Sequence, residues 1–369
     1  MRTLLIAALA AVSVFNPSLA FQIGPVIAVV VIVLGGVARL KVTSAMVAVV
    51  LLLMWVTLST AWASDDNLLI TLLTWGVCGL AFIAVITAIE TREQLRTVCV
   101  GYLIGAVYSV LRTIVFVSAG HTTGDRVTEI GGVNVNYFAY SLATGVAVIV
   151  LLWVTGHRTW KSAVLLLATA TTLIIGIEVT QTRGAYLGIA LVVVWIIAWK
   201  VFRLRSPIGA IVSVVIAALL IVTGLTDQAS LGLEGESRAT GDWSGRLPIW
   251  EVARQLWLEQ PIVGAGIGGF QQEVGTNIAT HNAVLEVGAT FGIIGVLLYC
   301  AVFWAALGPG SRGVPQRERA LLIGCYLAAA APAFLTGAWV TAPAAWVALA
   351  IFARLSVLAS DRYATVPVG

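Results

Sequence analysis

Long runs of apolar residues, broken only by short charged stretches, decide the solvent in which this chain can fold. A run of about 20 such residues crosses a bilayer as a helix. Hydrocarbon admits only helices or closed barrels, because every backbone polar group must be satisfied within the protein. The runs are too continuous for barrel strands, which alternate polar and apolar residues. Charged residues are 10% of the 369 positions and the mean hydropathy is +1.00, against about 25% charge in soluble domains. A soluble enzyme is excluded. The sequence predicts an all-α polytopic membrane protein, a single membrane domain over residues 1–369.

Setting apolar runs against charged breaks gives twelve spans, near 3–20, 22–38, 43–62, 68–89, 97–119, 136–155, 162–179, 185–200, 207–224, 281–303, 320–339 and 343–358. With both termini cytoplasmic, 15 of the 21 Lys and Arg fall inside and only four of the 17 acids do, as the positive-inside rule asks. The net charge of +4 then describes topology, not a nucleic-acid partner. Arg2, the apolar residues 4–14 and Ser18-Leu19-Ala20 imitate a signal peptide. The stretch merges into a second run, 23–37, so an uncleaved signal-anchor span is expected. Cys78, Cys99, Cys300 and Cys325 lie in or beside apolar runs and read as small core hydrophobes.

Two outer breaks are too long to be turns, 121–135 and the loop 225–280 between the ninth and tenth spans. The longer one contains a predicted helix, 245–259, with Ser244 as N-cap and Pro261 beyond its end. Ile249, Trp250, Ala253, Leu256 and Trp257 form one apolar stripe, expected to lie at the membrane interface with its tryptophans at headgroup depth. Arg246 shares that stripe, where a merely solvated arginine has no reason to be. It is expected to face an anion.

Six basic residues fall on the outer side: Arg112, Arg126, Arg183, Arg238, Arg246 and Arg254. All are arginines, whose planar fork binds phosphate bidentately and stays charged when desolvated. Surface pairing is the simpler reading for Arg126, Arg238 and Arg254. Arg183 stands in a five-residue break between two spans. Arg112 lies inside the fifth span, either in a functional site or tied to Glu178 or Glu286. His281 opens the tenth span at a helix N-terminus, which favours the neutral imidazole a general base needs; a capping or interfacial histidine is the plainer alternative. No histidine or cysteine accompanies it to make a metal site. Gly264-Ala265-Gly266-Ile267-Gly268-Gly269 imitates a dinucleotide fingerprint but has no βαβ context. It reads as a tight, flexible connection whose backbone N–H groups are placed to help hold an anion. No Walker motif is present, so any reaction draws on a substrate already activated at the membrane.

These blocks, in this order, resemble the O-antigen ligase and Wzy-type polymerase superfamily of bacterial polysaccharide assembly. The resemblance rests on residues 126–137 with Gly131-Gly132-Val133-Asn134-Val135-Asn136, on Thr182-Arg183-Gly184, on Gly245-Arg246-Leu247-Pro248-Ile249-Trp250 followed by Pro261 and its glycines, on His281-Asn282-x-x-Leu285, and on Thr290-Phe291-Gly292-Ile293-Ile294-Gly295. It is best over 125–300. It implies a GT-C-like glycosyltransferase of the bacterial cytoplasmic membrane, with an active site on the extracytoplasmic face, no cofactor and no metal. The donor is a polyprenyl-pyrophosphate-linked saccharide and the acceptor a hydroxyl on a saccharide, glycolipid or cell-wall polymer. His281 is the expected base, and transfer would invert the donor carbon. Arg183 and Arg246 would hold the departing pyrophosphate. Asn282, Asn136, Arg112, Glu286 and Arg126 would bind substrate or support those groups. Polymerase, ligase and protein-glycosylating members are not separated by these residues. A secondary transporter is the rival reading, since twelve spans with both ends inside suit one, although the long loop is not central and no repeated pair of broken helices is visible.

Overall fold

The computed structural model describes residues 1–36, 41–63, 68–120, 129–130, 133–156, 159–204, 246–274, 279–336 and 339–359. The ninth predicted span, 207–224, together with Ser244, Arg126 and Arg238, lies outside them. Thirteen α-helices follow in order: α1 (Arg2–Phe15), α2 (Pro17–Gly35), α3 (Ser44–Leu58), α4 (Leu68–Ala88), α5 (Arg92–Ser118), α6 (Val135–Thr155), α7 (Trp160–Thr180), α8 (Arg183–Phe202), α9 (Arg246–Glu259), α10 (Gly269–Val274), α11 (Ala283–Leu307), α12 (Gln316–Thr336) and α13 (Pro343–Ala353). A two-stranded antiparallel ribbon, β1 (Glu129–Ile130) and β2 (Val133–Asn134), precedes α6. Among the described residues, eight helices are long and apolar enough to cross a membrane. The chain is an all-α, multi-pass membrane protein.

The first predicted span is shorter than the apolar run suggests. α1 has 14 residues, about 21 Å of helix, and stops at Asn16. A residue before proline is pushed out of the helical region, and Asn16 accepts from Leu19 N–H at 3.0 Å, capping α2 with Pro17 at its first position. α1 packs inside the bundle against α5. A Cβ at Gly101 would lie 2.3 Å from the Ala7 carbonyl oxygen, and one at Gly105 2.2 Å from that of Ala11. Small residues at four-residue spacing on both helices let the two backbones touch, as membrane helices do where hydrophobicity alone cannot drive association.

The core is centred on α13. All eleven of its residues are buried, and it touches α1, α2, α4, α5, α6, α11 and α12. A helix apolar on every side belongs at the centre. Outward faces of the surrounding helices expose Leu51, Met54, Leu73, Ile104, Leu165 and Trp304, as contact with hydrocarbon requires. Cys78, Cys99 and Cys325 are buried, whereas Cys300 is on an outward face of α11, contrary to its reading as a core residue.

Alternating helix direction sorts the termini. The N-terminal ends of α6, α8, α11 and α13 and the C-terminal ends of α3, α5 and α7 share one end of the bundle. Bonds from Trp55 (α3) to Phe291 (α11) and from Ala344 (α13) to Tyr137 (α6) tie that end together.

Candidate functional site

The first half of the site is the junction of α6, α7 and α8. β1 and β2 deliver the chain to α6, where Asn134 accepts from Asn136 N–H at 2.9 Å. α7 ends on Gln181 in the left-handed region, φ 50°. Thr182 is the N-cap of α8 and turns its hydroxyl away from the helix, donating to Asn136 Oδ1 at 3.0 Å. Asn136 and the residue before Arg183, far apart in sequence, are thus in direct contact. Arg183 is the first residue of α8 and is exposed. Tyr137 locks the junction: its hydroxyl donates to the Ser13 carbonyl and accepts from Ala344 N–H.

The second half is built on a break in α11. At Gly292 the backbone leaves the helix (φ 64°, ψ −167°). The break orphans the carbonyls of Ala289 and Thr290 and the N–H groups of Ile293 and Ile294, which would have bonded each other. The segment that follows α9 supplies all four partners. Ala265 and Gly266 donate to Ala289 and Thr290 at 2.9 Å, while the Pro261 and Ile262 carbonyls accept from Ile293 and Ile294 at 2.9 and 3.4 Å. Trp55 Nε1 donates to the Phe291 carbonyl and Trp62 Nε1 to that of Gly264. Non-helical backbone is tolerated in a membrane protein only where protein encloses it in this way. The fit demands glycine. Gly264 and Gly266 have φ of 71° and 82°, and a Cβ at Gly264 would lie 2.5 Å from the Gly292 backbone.

This corrects the reading of residues 264–269 as a flexible, anion-holding connection. Amides 264, 265, 266 and 269 are spent on carbonyls, and Ile267 and Phe270 are fully buried. α9 is likewise not laid on lipid by its stripe. Ala253 and Leu256 are buried against Phe270 and Ala289, with Ile249, Trp257 and Leu285 around them. Trp257 lies over Gly288, where a Cβ would be 2.5 Å from the indole. Trp250 Nε1 donates to the Thr280 carbonyl at 2.7 Å. Arg246 is the first residue of α9, one turn before Trp250.

His281 follows directly, and its φ of 54° places it in the left-handed region. It precedes the N-cap; it is not on the first helical turn, as expected from sequence. The cap is Asn282, whose Oδ1 accepts from Val284 and Leu285 N–H at 3.1 Å. That oxygen is committed to the helix rather than to the imidazole or a sugar. The Thr280 hydroxyl lies 3.0 Å from both the Asn282 carbonyl and Glu286 Oε2, and accepts from Asn282 N–H at 3.3 Å. Thr280 and Asn282 therefore clamp the backbone on both sides of the histidine. The suggested tie between Glu286 and Arg112 is replaced by Thr280, and Glu178 bonds Tyr186. Arg112 donates Nη1 to the Phe15 carbonyl at 3.2 Å, where the end of α1 carries negative potential. Arg254 pairs within its own helix, with Glu251 at 2.6 Å.

Sequence reasoning missed Thr182, Tyr137, Thr280, Trp55 and Trp62, whose partners lie up to 236 residues away. Among the described residues no group of three or more His, Cys, Asp or Glu is placed to hold a metal.

Both halves converge on one stretch of chain. Residues 167–300 match the O-antigen ligase family. The matching stretch takes in α8, α9, α10, the clamp around His281 and the broken part of α11, and it covers the later part of the 125–300 stretch that carried the resemblance. Thr182, Arg183, Arg246 and His281 fall within it; Asn136 and Arg112 precede it. No curated protein matches the chain.

Proposed function

We propose that the chain is a membrane glycosyltransferase of cell-surface polysaccharide assembly, working on the extracytoplasmic side of a bacterial cytoplasmic membrane. It transfers or polymerises saccharide from a polyprenyl-pyrophosphate carrier onto an acceptor hydroxyl. The observation that carries the reading is His281, held in left-handed backbone by Thr280 and Asn282 inside the stretch that matches the O-antigen ligase family. Such a conformation costs about 1–2 kcal/mol for a residue with a side chain and persists where its surroundings impose it, often at sites of function.

In this reading His281 accepts the proton of the acceptor hydroxyl as its oxygen attacks the anomeric carbon. The bond to the carrier pyrophosphate breaks on the opposite face, so the anomeric configuration inverts. Arg183 and Arg246 receive the pyrophosphate charge, and Arg183 does so at the first residue of α8, where the helix dipole adds positive potential. Asn136 and Thr182 position Arg183. Neither a metal nor a cofactor is called on.

The test is a deletion strain analysed for lipid-linked saccharides and finished polymer, complemented with wild type, His281→Ala or Arg183→Lys. Accumulated single repeats identify a polymerase and accumulated long lipid-linked chains a ligase, and neither variant restores product. Unchanged saccharide pools in the deletion strain overturn the proposal in favour of transport.

A further inference from the structure

At the end of the bundle opposite the His281 clamp, α1 begins and α2, α4 and α13 end. There a cavity of about 330 Å³ opens among these termini, its polar lining supplied by Arg2, Lys41, Thr87, Glu90 and Arg354. Arg2 Nη2 lies 2.9 Å from Glu90 Oε1, with only 21% of the arginine side chain exposed. Arg354 donates Nε to the Ile89 carbonyl at 2.7 Å. The turn between α4 and α5 therefore fixes both guanidiniums, and Lys41 stands exposed beside them. Gly35 belongs to the construction, since a Cβ there would lie 2.6 Å from Arg2 Nη1. Without a side chain, α2 lets the guanidinium lie against its last turn.

Among the described residues of the lining, three cations and one carboxylate leave two positive charges in excess around a partly enclosed space. Like charges brought together and partly desolvated disfavour one another unless an anion joins them. Glu90 offsets one charge only. A phosphate meets the remaining need: it accepts several charge-assisted hydrogen bonds and suits the guanidinium fork. The rest of the wall is hydrocarbon, from Val31, Ile32 and Ile86. A ligand with a phosphate joined to an apolar body matches both surfaces, as basic pockets between membrane helices do for anionic lipids.

We propose that this cavity binds the phosphate of an anionic phospholipid headgroup through Arg2, Lys41 and Arg354. The proposal does not depend on the glycosyl-transfer reading, and its test uses no turnover. Full-length protein in a neutral detergent is melted with added phosphatidylglycerol, phosphatidylcholine or inorganic phosphate, and lipid retained by each variant is counted by native mass spectrometry. Phosphatidylglycerol raises Tm and phosphatidylcholine does not. The phosphatidylglycerol concentration giving half the shift rises about fivefold in Lys41→Gln, as for loss of one cation at the headgroup, and further in Lys41→Glu. Retained phosphatidylglycerol falls in step. Equal shifts with both lipids, or wild-type response and retention in both Lys41 variants, overturn the proposal. Stabilisation by inorganic phosphate that matches phosphatidylglycerol overturns the lipid assignment in favour of a soluble phosphate ligand.

Discussion

The two turns that carry the candidate residues are built by different means. The His281 turn is capped by the side chains of Thr280 and Asn282, but the helix it opens is anchored by backbone: at Gly292 the break in α11 and the segment after α9 exchange four main-chain hydrogen bonds. The Arg183 turn is joined to α6 through side chains, the Thr182 hydroxyl on Asn136 Oδ1. Backbone pairing fixes a position whatever side chains surround it, provided that glycine stands where the chains cross. Side-chain pairing tolerates any backbone but fails with one substitution. The candidate base thus sits on the more rigid mount, and the candidate phosphate ligand on the more adjustable one.

The sharpest way to break this contrast is at the crossing itself. Gly264→Val or Gly292→Val drives a branched Cβ into backbone 2.2–2.5 Å away at positive φ. Each is expected to cost at least about 4 kcal/mol, seen as loss of folded protein in detergent or a collapse in Tm. Near-wild-type melting of either variant would mean that the segment is not stitched into α11. Next comes His281→Gly, which keeps the left-handed backbone and removes the side chain. It should raise stability by about 1 kcal/mol while abolishing transfer. Retained transfer would leave the histidine a structural role only.

On the other turn, Thr182→Val should cost about 1 kcal/mol and lower transfer without unfolding the protein. Paired with Asn136→Leu in a double-mutant cycle, it should show coupling of about 0.5–1.5 kcal/mol. Additive effects would dissolve the link between α6 and the Arg183 turn. The smallest effect belongs to the outer face of α9. Hydrogen bonds from Arg254 lower the Glu251 carboxyl from 4.5 to about 2. A lowered carboxylate stabilises the fold at pH values above 4.5, and the contribution is lost as pH falls from there through 2. The pair is open to solvent, so Arg254→Ala should leave the melting temperature at pH 7 nearly unchanged and return the Glu251 titration towards 4.5. A large loss of stability would show that this face is covered.

Hydropathy made most of the helices legible, because lipid punishes any other pattern so heavily that runs and breaks must follow it. The failures have local causes. Asn16-Pro17 carries a cap and a helix-start signal, but it is embedded in apolar sequence, and the run of hydropathy concealed it. Gly292 resembles any other glycine of an apolar span, and only its partners, some 30 residues earlier, make it a break. Arg183 and His281 stood out as an arginine and a histidine at span ends. Thr182 and Thr280 did not, since a hydroxyl beside a helix has many ordinary uses and its true partner comes from folding.

The burial of α13 bears on how the molecule is assembled. Eleven residues are too few to reach across a bilayer, so lipid offers this helix no stable resting place of its own. It also emerges late from the ribosome, after the helices that enclose it have been made. Among the described helices the centre is therefore filled only once this one has been made, and the helices around it, all earlier in the chain, receive it.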